Sequence, residues 1–181
     1  MDALGIAYRV QVSSVDETAI RAEGDEGFVR AAARAKLEDV LGAQATSSAA
    51  TFVLAADTIV SVDGEVFGKP QDDRDALRML SALSGRSHWV RTAVALGRVG
   101  AGTLVVDLVS TQVWFRELGR ADLERYVAAG EGRDKAGSYA IQGVAGGFVS
   151  RIEGSYSNVV GLPAARVVEL LTEHGALARW P

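Results

Sequence analysis

Asp57 is the residue whose type and position best suit a catalytic role. It directly follows the apolar run Phe52–Ala56. An ionised carboxylate at the end of a buried strand must be solvated, paired or metal-bound, because leaving it desolvated is costly. Ligand crevices also tend to form at the carboxyl ends of strands in α/β sheets. Taken alone, the pattern still favours a turn or capping aspartate over a functional one.

A second acidic pair, Asp16 and Glu17, follows another predicted strand, Ile6–Val15. A divalent metal that carries a triphosphate binds hard oxygen ligands, commonly one or two protein carboxylates together with phosphate oxygens. The pair is therefore a candidate for metal binding, although its spacing alone favours a solvated turn.

Two lysines and one glutamine lie in glycine-rich surroundings that suit phosphate and base recognition. Lys69 lies between Gly68 and Pro70, and Lys135 lies in the segment Asp134–Gly143. A lysine presents a point charge to phosphate, and the amide of Gln142 offers a donor and an acceptor to a nucleobase edge. The P-loop spacing is absent. Lys69 alone favours a surface turn, and the segment with Gln142 suits a structural loop and a ligand loop equally.

The other reactive or aromatic residue types do not form a recognisable site. The histidines, His88 and His174, have no partner at metal-ligand spacing, so we expect structural or surface roles. The three tryptophans, Trp89, Trp114 and Trp180, do not lie among basic clusters, which argues against a stacking platform for single-stranded nucleic acid.

The composition is that of a folded globular protein, with 181 residues, 48% hydrophobic and 23% charged. A formal net charge of −4 argues against binding of polymeric nucleic acid, whose affinity comes largely from a basic face. The chain has no cysteine, which excludes disulfides and thiolate sites and fits the cytosol. Since no apolar stretch is long enough to span a bilayer and Met1–Val10 is unlike a signal peptide, we expect a soluble cytoplasmic protein.

Periodicity and turn residues predict mixed strands and helices without an internal repeat or a dividing linker, which indicates one α/β domain. The predicted elements are a strand over Ile6–Val15, a helix over Phe28–Leu41, an exposed loop over Ala43–Ala50, a buried strand over Thr51–Ala56, a hairpin turn at Asp63-Gly64, a helix over Asp72–Leu83, strands over His88–Leu96 and Leu104–Phe115, a helix over Ala121–Ala129 closed by Gly130, a strand or loop over Ile152–Val160, and a helix over Ala164–Leu171.

Short motifs follow one another in a fixed order over nearly the whole chain. They are Leu4-Gly5-Ile6, Val15-Asp16-Glu17, Ala33-Arg34-Ala35-Lys36, Ala55-Ala56-Asp57-Thr58-Ile59-Val60, Gly68-Lys69-Pro70, Leu83-Ser84-Gly85, Thr92-Ala93-Val94, Asp134-Lys135-Ala136-Gly137, Ile141-Gln142-Gly143, Gly154-Ser155-Tyr156 and Val160-Gly161-Leu162-Pro163. In this order they resemble the Maf family of nucleotide pyrophosphatases, also called septum-formation-like proteins. Each motif is weak alone, but the collinear series is specific.

The resemblance implies a fold and an activity. The fold would be an elongated α/β domain like that of inosine triphosphatases, with a mixed sheet flanked by helices and a cleft for a nucleoside triphosphate. The activity would be hydrolysis between the α and β phosphates, giving a monophosphate and diphosphate, with a divalent metal, Mg²⁺ or Mn²⁺. The A-D-T and A-I-Q-G motifs resemble the branch associated with dTTP and UTP.

The resemblance also implies roles for individual residues. Asp57 would be the general base or a metal-linked carboxylate that activates water, and Glu17 would help to hold the metal. Lys69 and Lys135 would bind phosphates. Thr58 and Gln142 would contribute to base selection.

One feature departs from the family. Members usually begin with a strand and a loop resembling S-x-S-P-R-R, whereas Met1-Asp2-Ala3 stands immediately before Leu4-Gly5. We therefore expect residues 1–181 to form a single Maf-like domain that is N-terminally shortened relative to the family and lacks a phosphate-binding element.

Two other functions stay open at this stage. One is a purine-selective house-cleaning pyrophosphatase, and the other is a non-catalytic nucleotide-binding relative. The expected partner in each case is a nucleotide, with no polymeric nucleic acid and no membrane. A homodimer is a possible assembly.

Overall fold

The computed structural model describes residues 1–44 and 51–180. The sequence predicts a loop over Ala43–Ala50. In the structure Ala43 is the last residue of a helix, and residues 45–50 lie outside the described residues. The elements in chain order are α1 (Gly24–Ala43), β1 (Phe52–Val62), β2 (Glu65–Phe67), α2 (Asp73–Leu83), β3 (Ser87–Arg98), β4 (Gly102–Phe115), α3 (Arg120–Ala129), β5 (Val149–Glu153), α4 (Tyr156–Val160) and α5 (Ala164–Glu173). No helix among the described residues is long and apolar enough to cross a membrane.

The five strands form one sheet in the order β2-β1-β3-β4-β5. The pairs β1–β2 and β4–β5 are antiparallel. Val99, just after β3, donates its backbone N–H to the carbonyl of Thr51, just before β1, and Thr58 of β1 contacts Thr92 of β3. Positions along the two strands therefore advance in opposite directions, and this pair is antiparallel too. The α/β class is confirmed, with antiparallel strand pairs in place of the mixed sheet that the resemblance implies.

The chain divides into two compact units. The first contains Met1–Asp57, Ala93–Leu108 and Ala164–Pro181, and the second contains Thr58–Thr92 and Val109–Pro163. Strands β1, β3 and β4 each contribute residues to both units. The prediction of a single domain over residues 1–181 stays a prediction.

In the first unit, α1 buries one stripe of small and aliphatic side chains. Val29, Ala33, Leu37 and Val40 recur at helical spacing and are buried, and Ala32 widens the stripe. The acidic residues of the first turn favour the helix start, because they lie beside the positive end of the helix dipole. The helix is longer than predicted at both ends.

In the second unit, the predicted hairpin and helices are confirmed, and their local causes are visible. Asp63 and Gly64 both have positive φ and connect β1 to β2, which is the geometry of a tight hairpin turn. The side chain of Asp72 accepts a hydrogen bond from the Asp75 backbone N–H at 2.7 Å and starts α2. Gly130 ends α3 in the left-handed conformation.

The predicted strand over Ile6–Val15 is wrong. No strand precedes Phe52 in the described part of the chain, and the alternating side chains of Tyr8, Val10 and Val12 are 50%, 73% and 82% exposed. Alternation produces a strand only where a neighbouring strand supplies ladder hydrogen bonds and a surface to bury against. Instead, the segment is anchored near its end by Asp39, whose side chain accepts hydrogen bonds from the backbone and hydroxyl of Ser14.

Two predicted boundaries also need correction. The strand predicted to end at Ala56 continues to Val62, so Asp57 lies inside β1 and not after its end. The β-branched residues after it favour this continuation. The segment predicted as strand or loop over Ile152–Val160 divides into the end of β5 and the short helix α4, which Ser155 caps.

His88 lies in the core of the second unit, as expected for a structural histidine. Its side chain is 1% exposed, its Nε2 shares a 2.9 Å hydrogen bond with the Tyr139 hydroxyl, and its ring contacts Phe115 edge-on. Burial lowers the pKa of His88 from 6.5 to about 4, because the charged form loses its hydration.

We expect this histidine to make the protein sensitive to acid. The unfolded chain binds the proton near pH 6.5 and the folded chain only near pH 4, so stability falls as pH drops through that window. Between pH 7 and pH 5 the free energy of unfolding should fall by about 2 kcal/mol from this group alone. Urea unfolding at both pH values measures the loss. His88→Gln should remove most of it and His174→Gln should retain it; an unchanged loss in His88→Gln would contradict the assignment.

Candidate active site

The first unit brings Glu17 and Asp57 together around Lys36, the cluster called here the acid–lysine–acid site. The Lys36 Nζ donates to Asp57 Oδ1 at 2.5 Å and lies 2.7 Å from Glu17 Oε1. The side chain of Asp57 is 10% exposed and that of Glu17 is 49% exposed. Two of the predicted site residues therefore share one cation.

The local sequence explains how each group reaches this position. Lys36 stands on α1 four residues after the buried Ala32 and four before the buried Val40, so it lies beside the packed face of the helix, and its ammonium contacts Asp57 and Glu17. The two acidic neighbours have separate roles. Asp16 closes the turn by accepting from the Thr18 backbone N–H at 2.9 Å, and Glu17 extends to Lys36. The turn interpretation thus applies to Asp16, whereas Glu17 belongs to the cluster.

The charges in the cluster support one another. Burial opposes the ammonium of Lys36, but its hydrogen bonds to Asp57 and Glu17 outweigh this effect and raise the pKa of Lys36. Lys36 therefore stays protonated at neutral pH. One positive charge faces two carboxylates, which leaves the site with a surplus of negative charge.

The donor set fits a hard divalent cation. The oxygens of Glu17 and Asp57 already converge on one cationic group, and Mg²⁺ is commonly held by one or two carboxylates plus phosphate or water oxygens. Over residues 1–44 and 51–180, no group of three or more His, Cys, Asp or Glu residues could form a complete metal cage. The residues fit a metal that takes its other ligands from a substrate.

A cavity of about 740 Å³ lies in the same unit. Its volume is in the range of small-molecule sites. Lys36 contributes to its wall, so the cavity adjoins the acid–lysine–acid site. Other lining residues supply polar and apolar surface: Tyr8, Arg9, Gln11, Leu54 and Leu96.

In the second unit, Thr58 belongs to a hydrogen-bonded network. Its hydroxyl shares a 2.9 Å hydrogen bond with the buried Thr92 hydroxyl and lies 3.4 Å from the Gly161 carbonyl oxygen. The turn that carries Gly161 is anchored by Asn158, a fully buried residue whose Nδ2 donates to the Val90 carbonyl at 3.0 Å. The position of Thr58 is therefore fixed by buried polar groups.

The segments that carry the two predicted phosphate lysines, Lys69 and Lys135, meet in the second unit. The Gly137 backbone N–H donates to the Gly68 carbonyl at 3.1 Å, which brings the two lysine-bearing segments together. Lys135 Nζ donates to Asp134 Oδ2 at 2.8 Å. This hydrogen bond, with a smaller contribution from the charge of Lys69, lowers the pKa of Asp134. Gln142 is exposed on the following turn.

The residue that sequence reasoning missed in the first unit is Lys36. It was visible only as the last residue of the motif Ala33-Arg34-Ala35-Lys36, with no role assigned. A lysine in an alanine-rich helix is ordinarily a solvated residue. Its function follows from contacts with residues distant in the chain, for which the sequence offers no local pattern.

Comparison with known proteins identifies the class. A family model described as Maf-like protein matches residues 1–174, and the chain belongs to this family. The chain is 47% identical over 183 residues to a dTTP/UTP pyrophosphatase of Anaeromyxobacter sp. (strain Fw109-5), covering 99% of this chain and 85% of that protein. It is 46% identical over 178 residues to a dTTP/UTP pyrophosphatase of Desulfotalea psychrophila, covering 98% and 89%.

Removing the shared cation should destabilise the first unit. In Lys36→Met, Glu17 and Asp57 lose their common partner and repel each other, and we expect the free energy of unfolding at pH 7 to fall by about 1–3 kcal/mol. Lys36→Arg should recover part of the loss because it keeps the charge. Urea unfolding provides the measurement.

Arg34→Met is the matched control, since Arg34 is on the same helix in an exposed ion pair with Glu38. Such pairs contribute little. If Lys36→Met were no more harmful than Arg34→Met, the cluster would not be a stabilising element.

Proposed function

We propose that this protein is a nucleoside-triphosphate pyrophosphatase that hydrolyses dTTP and UTP to the monophosphate and diphosphate. The main support is the near-full-length identity to relatives named dTTP/UTP pyrophosphatase. The acid–lysine–acid site supplies groups suited to that chemistry, because phosphoryl transfer depends on positioning and charge neutralisation more than on covalent catalysis.

In this proposal Asp57 is the general base. The water oxygen adds to the α-phosphorus, the bond from that phosphorus to the bridging oxygen breaks, and diphosphate leaves. The water proton passes to the Asp57 carboxylate, which is nine-tenths shielded from solvent and held by Lys36. A positioned base of this kind contributes about 10²–10⁴-fold to the rate.

Glu17 and Asp57 would hold a divalent metal, Mg²⁺ or Mn²⁺, which when bound neutralises charge on the phosphates. Lys36 keeps the two carboxylates oriented by bonding to both. Lys69 and Lys135 would neutralise phosphate oxygens as point charges. Thr58 and Gln142 would discriminate between bases, since a hydroxyl and an amide can read a base edge but do not activate water at neutral pH.

A cytoplasmic location completes the proposal, because the cysteine-free composition fits a reducing compartment. A homodimer stays a prediction.

Asp57→Asn is the direct test of the catalytic assignment. The amide keeps the size of the side chain but cannot accept the proton, so diphosphate release from dTTP and UTP should fall by about 10²-fold or more. Steady-state assays with Mg²⁺ and with chelator also test the metal. Asp63→Asn is the matched control, since Asp63 is exposed and its positive φ suits asparagine.

Full turnover in Asp57→Asn, with unchanged metal dependence, would refute the role of Asp57. Preference for purine triphosphates in the wild type would favour a purine-selective pyrophosphatase. Nucleotide binding without diphosphate release would favour a non-catalytic relative.

Gln142→Ala and Thr58→Ala should change the preference among bases more than the rate of hydrolysis. We expect the ratio of kcat/KM for dTTP over CTP to fall by about tenfold, because a site built to hydrogen-bond a base loses its discrimination when the partner is removed. Assays with dTTP, UTP, CTP and GTP measure the ratio. Gln71→Ala, another exposed glutamine, serves as control. An equal loss on all four nucleotides would argue against selectivity.

A further inference from the structure

Glu131 is a carboxylate just after α3 that collects three hydrogen-bond donors. Its Oε1 accepts from the Tyr126 hydroxyl at 3.0 Å and from the Ala145 backbone N–H at 3.4 Å. Its Oε2 accepts from the Val144 backbone N–H at 3.0 Å. The carboxylate thus fixes the C-terminal end of the segment Ala140–Ala145.

The same group reaches the other end of that segment through Tyr126. The Tyr126 hydroxyl, which donates to Glu131, accepts the Ala140 backbone N–H at 3.1 Å, and Tyr126 is only 4% exposed. Between the two ends the chain turns, and the Gly143 backbone N–H donates to the Ala140 carbonyl at 3.0 Å. Glu131 and Tyr126 therefore form a clamp around a tight turn.

The turn packs directly against the carboxylate. A Cβ placed on Gly143 would overlap both side-chain oxygens of Glu131, so a side chain at this position would require the carboxylate to move away from the turn. Hydrogen bonds dominated by the one from Val144 lower the pKa of Glu131, and the group is ionised at neutral pH. A carboxylate accepts at every site, whereas a glutamine amide would direct a donor against one of the three donors.

Gln142 lies exposed between the two clamped ends. We propose that Glu131, acting through Tyr126 and the backbone of the turn, is a positioning residue that sets base discrimination by holding Gln142 in place. This inference rests on the proposed function, in which Gln142 contacts the base. A polar group discriminates between ligands only when its own support is rigid.

The test compares wild type with Glu131→Gln and Tyr126→Phe, which cut the clamp at its centre and at its link to Ala140. Glu124→Gln is the matched control, because Glu124 is exposed on α3 and pairs with Arg120. In both clamp variants we expect kcat/KM for dTTP over CTP to fall by about tenfold, mainly through KM for dTTP. In the control the ratio should stay at the wild-type value.

Hydrogen exchange gives a readout that does not depend on turnover. The amides of Val144 and Ala145 should exchange about tenfold faster or more in Glu131→Gln than in wild type, while amides in β4 should keep their rates. The measurement needs no nucleotide, so it tests the clamp even in a protein that lacks activity.

The outcomes separate cleanly. Faster exchange with a lower dTTP/CTP ratio supports the proposal. Unchanged exchange overturns the clamp, and faster exchange with an equal loss on every nucleotide overturns the specificity role. A wild type that releases no diphosphate from any triphosphate refutes the proposed function and with it the specificity role. If Glu131→Gln does not fold, Tyr126→Phe decides by the dTTP/CTP ratio and by exchange of the Ala140 amide, whose acceptor it removes.

Discussion

The first unit depends on one interaction, the ammonium of Lys36 held between the carboxylates of Glu17 and Asp57. A carboxylate as shielded as that of Asp57 would be costly inside a strand without a cation beside it. The buried stripe of α1 fixes the backbone position of Lys36, and the length of the lysine side chain determines where its ammonium lies. The packing of α1, the position of the Glu17 turn and the orientation of the two carboxylates therefore all depend on the Lys36 side chain.

Much of the fold could be predicted because its causes are local. The Asp72 cap, the Asp63-Gly64 turn and the Gly130 stop each act within a few residues, and the structure has all three. The segment Ile6–Val15 could not be predicted in this way. Its alternation is local, but a strand requires a partner elsewhere in the chain. The same limit applies to Asp57. A carboxylate can lie within β1 because Lys36 of α1 contacts it, and no local sequence pattern indicates that contact.

Residues of the candidate site could be predicted where the side-chain type itself indicates a chemical role. Residues that act by holding another residue could not. Glu17 and Asp57 stood out as carboxylates in recognisable motifs. Lys36 and Glu131 did not, because one lies in an ordinary alanine-rich helix and the other follows a helix-ending glycine. Lys36 contacts Glu17 and Asp57 across 19 and 21 residues of sequence, and Glu131 accepts from the amides of Val144 and Ala145 across 13 and 14 residues.

The close approach of Glu131 to Gly143 has an evolutionary consequence. A change at either position disturbs the other, since a side chain at position 143 displaces the carboxylate, and a shorter group at position 131 removes the acceptor of the Val144 and Ala145 amides. The two sites should therefore show strong epistasis, with substitutions at one tolerated only in the background of a compensating change at the other. Among diverging relatives, this pair is expected to covary as a unit.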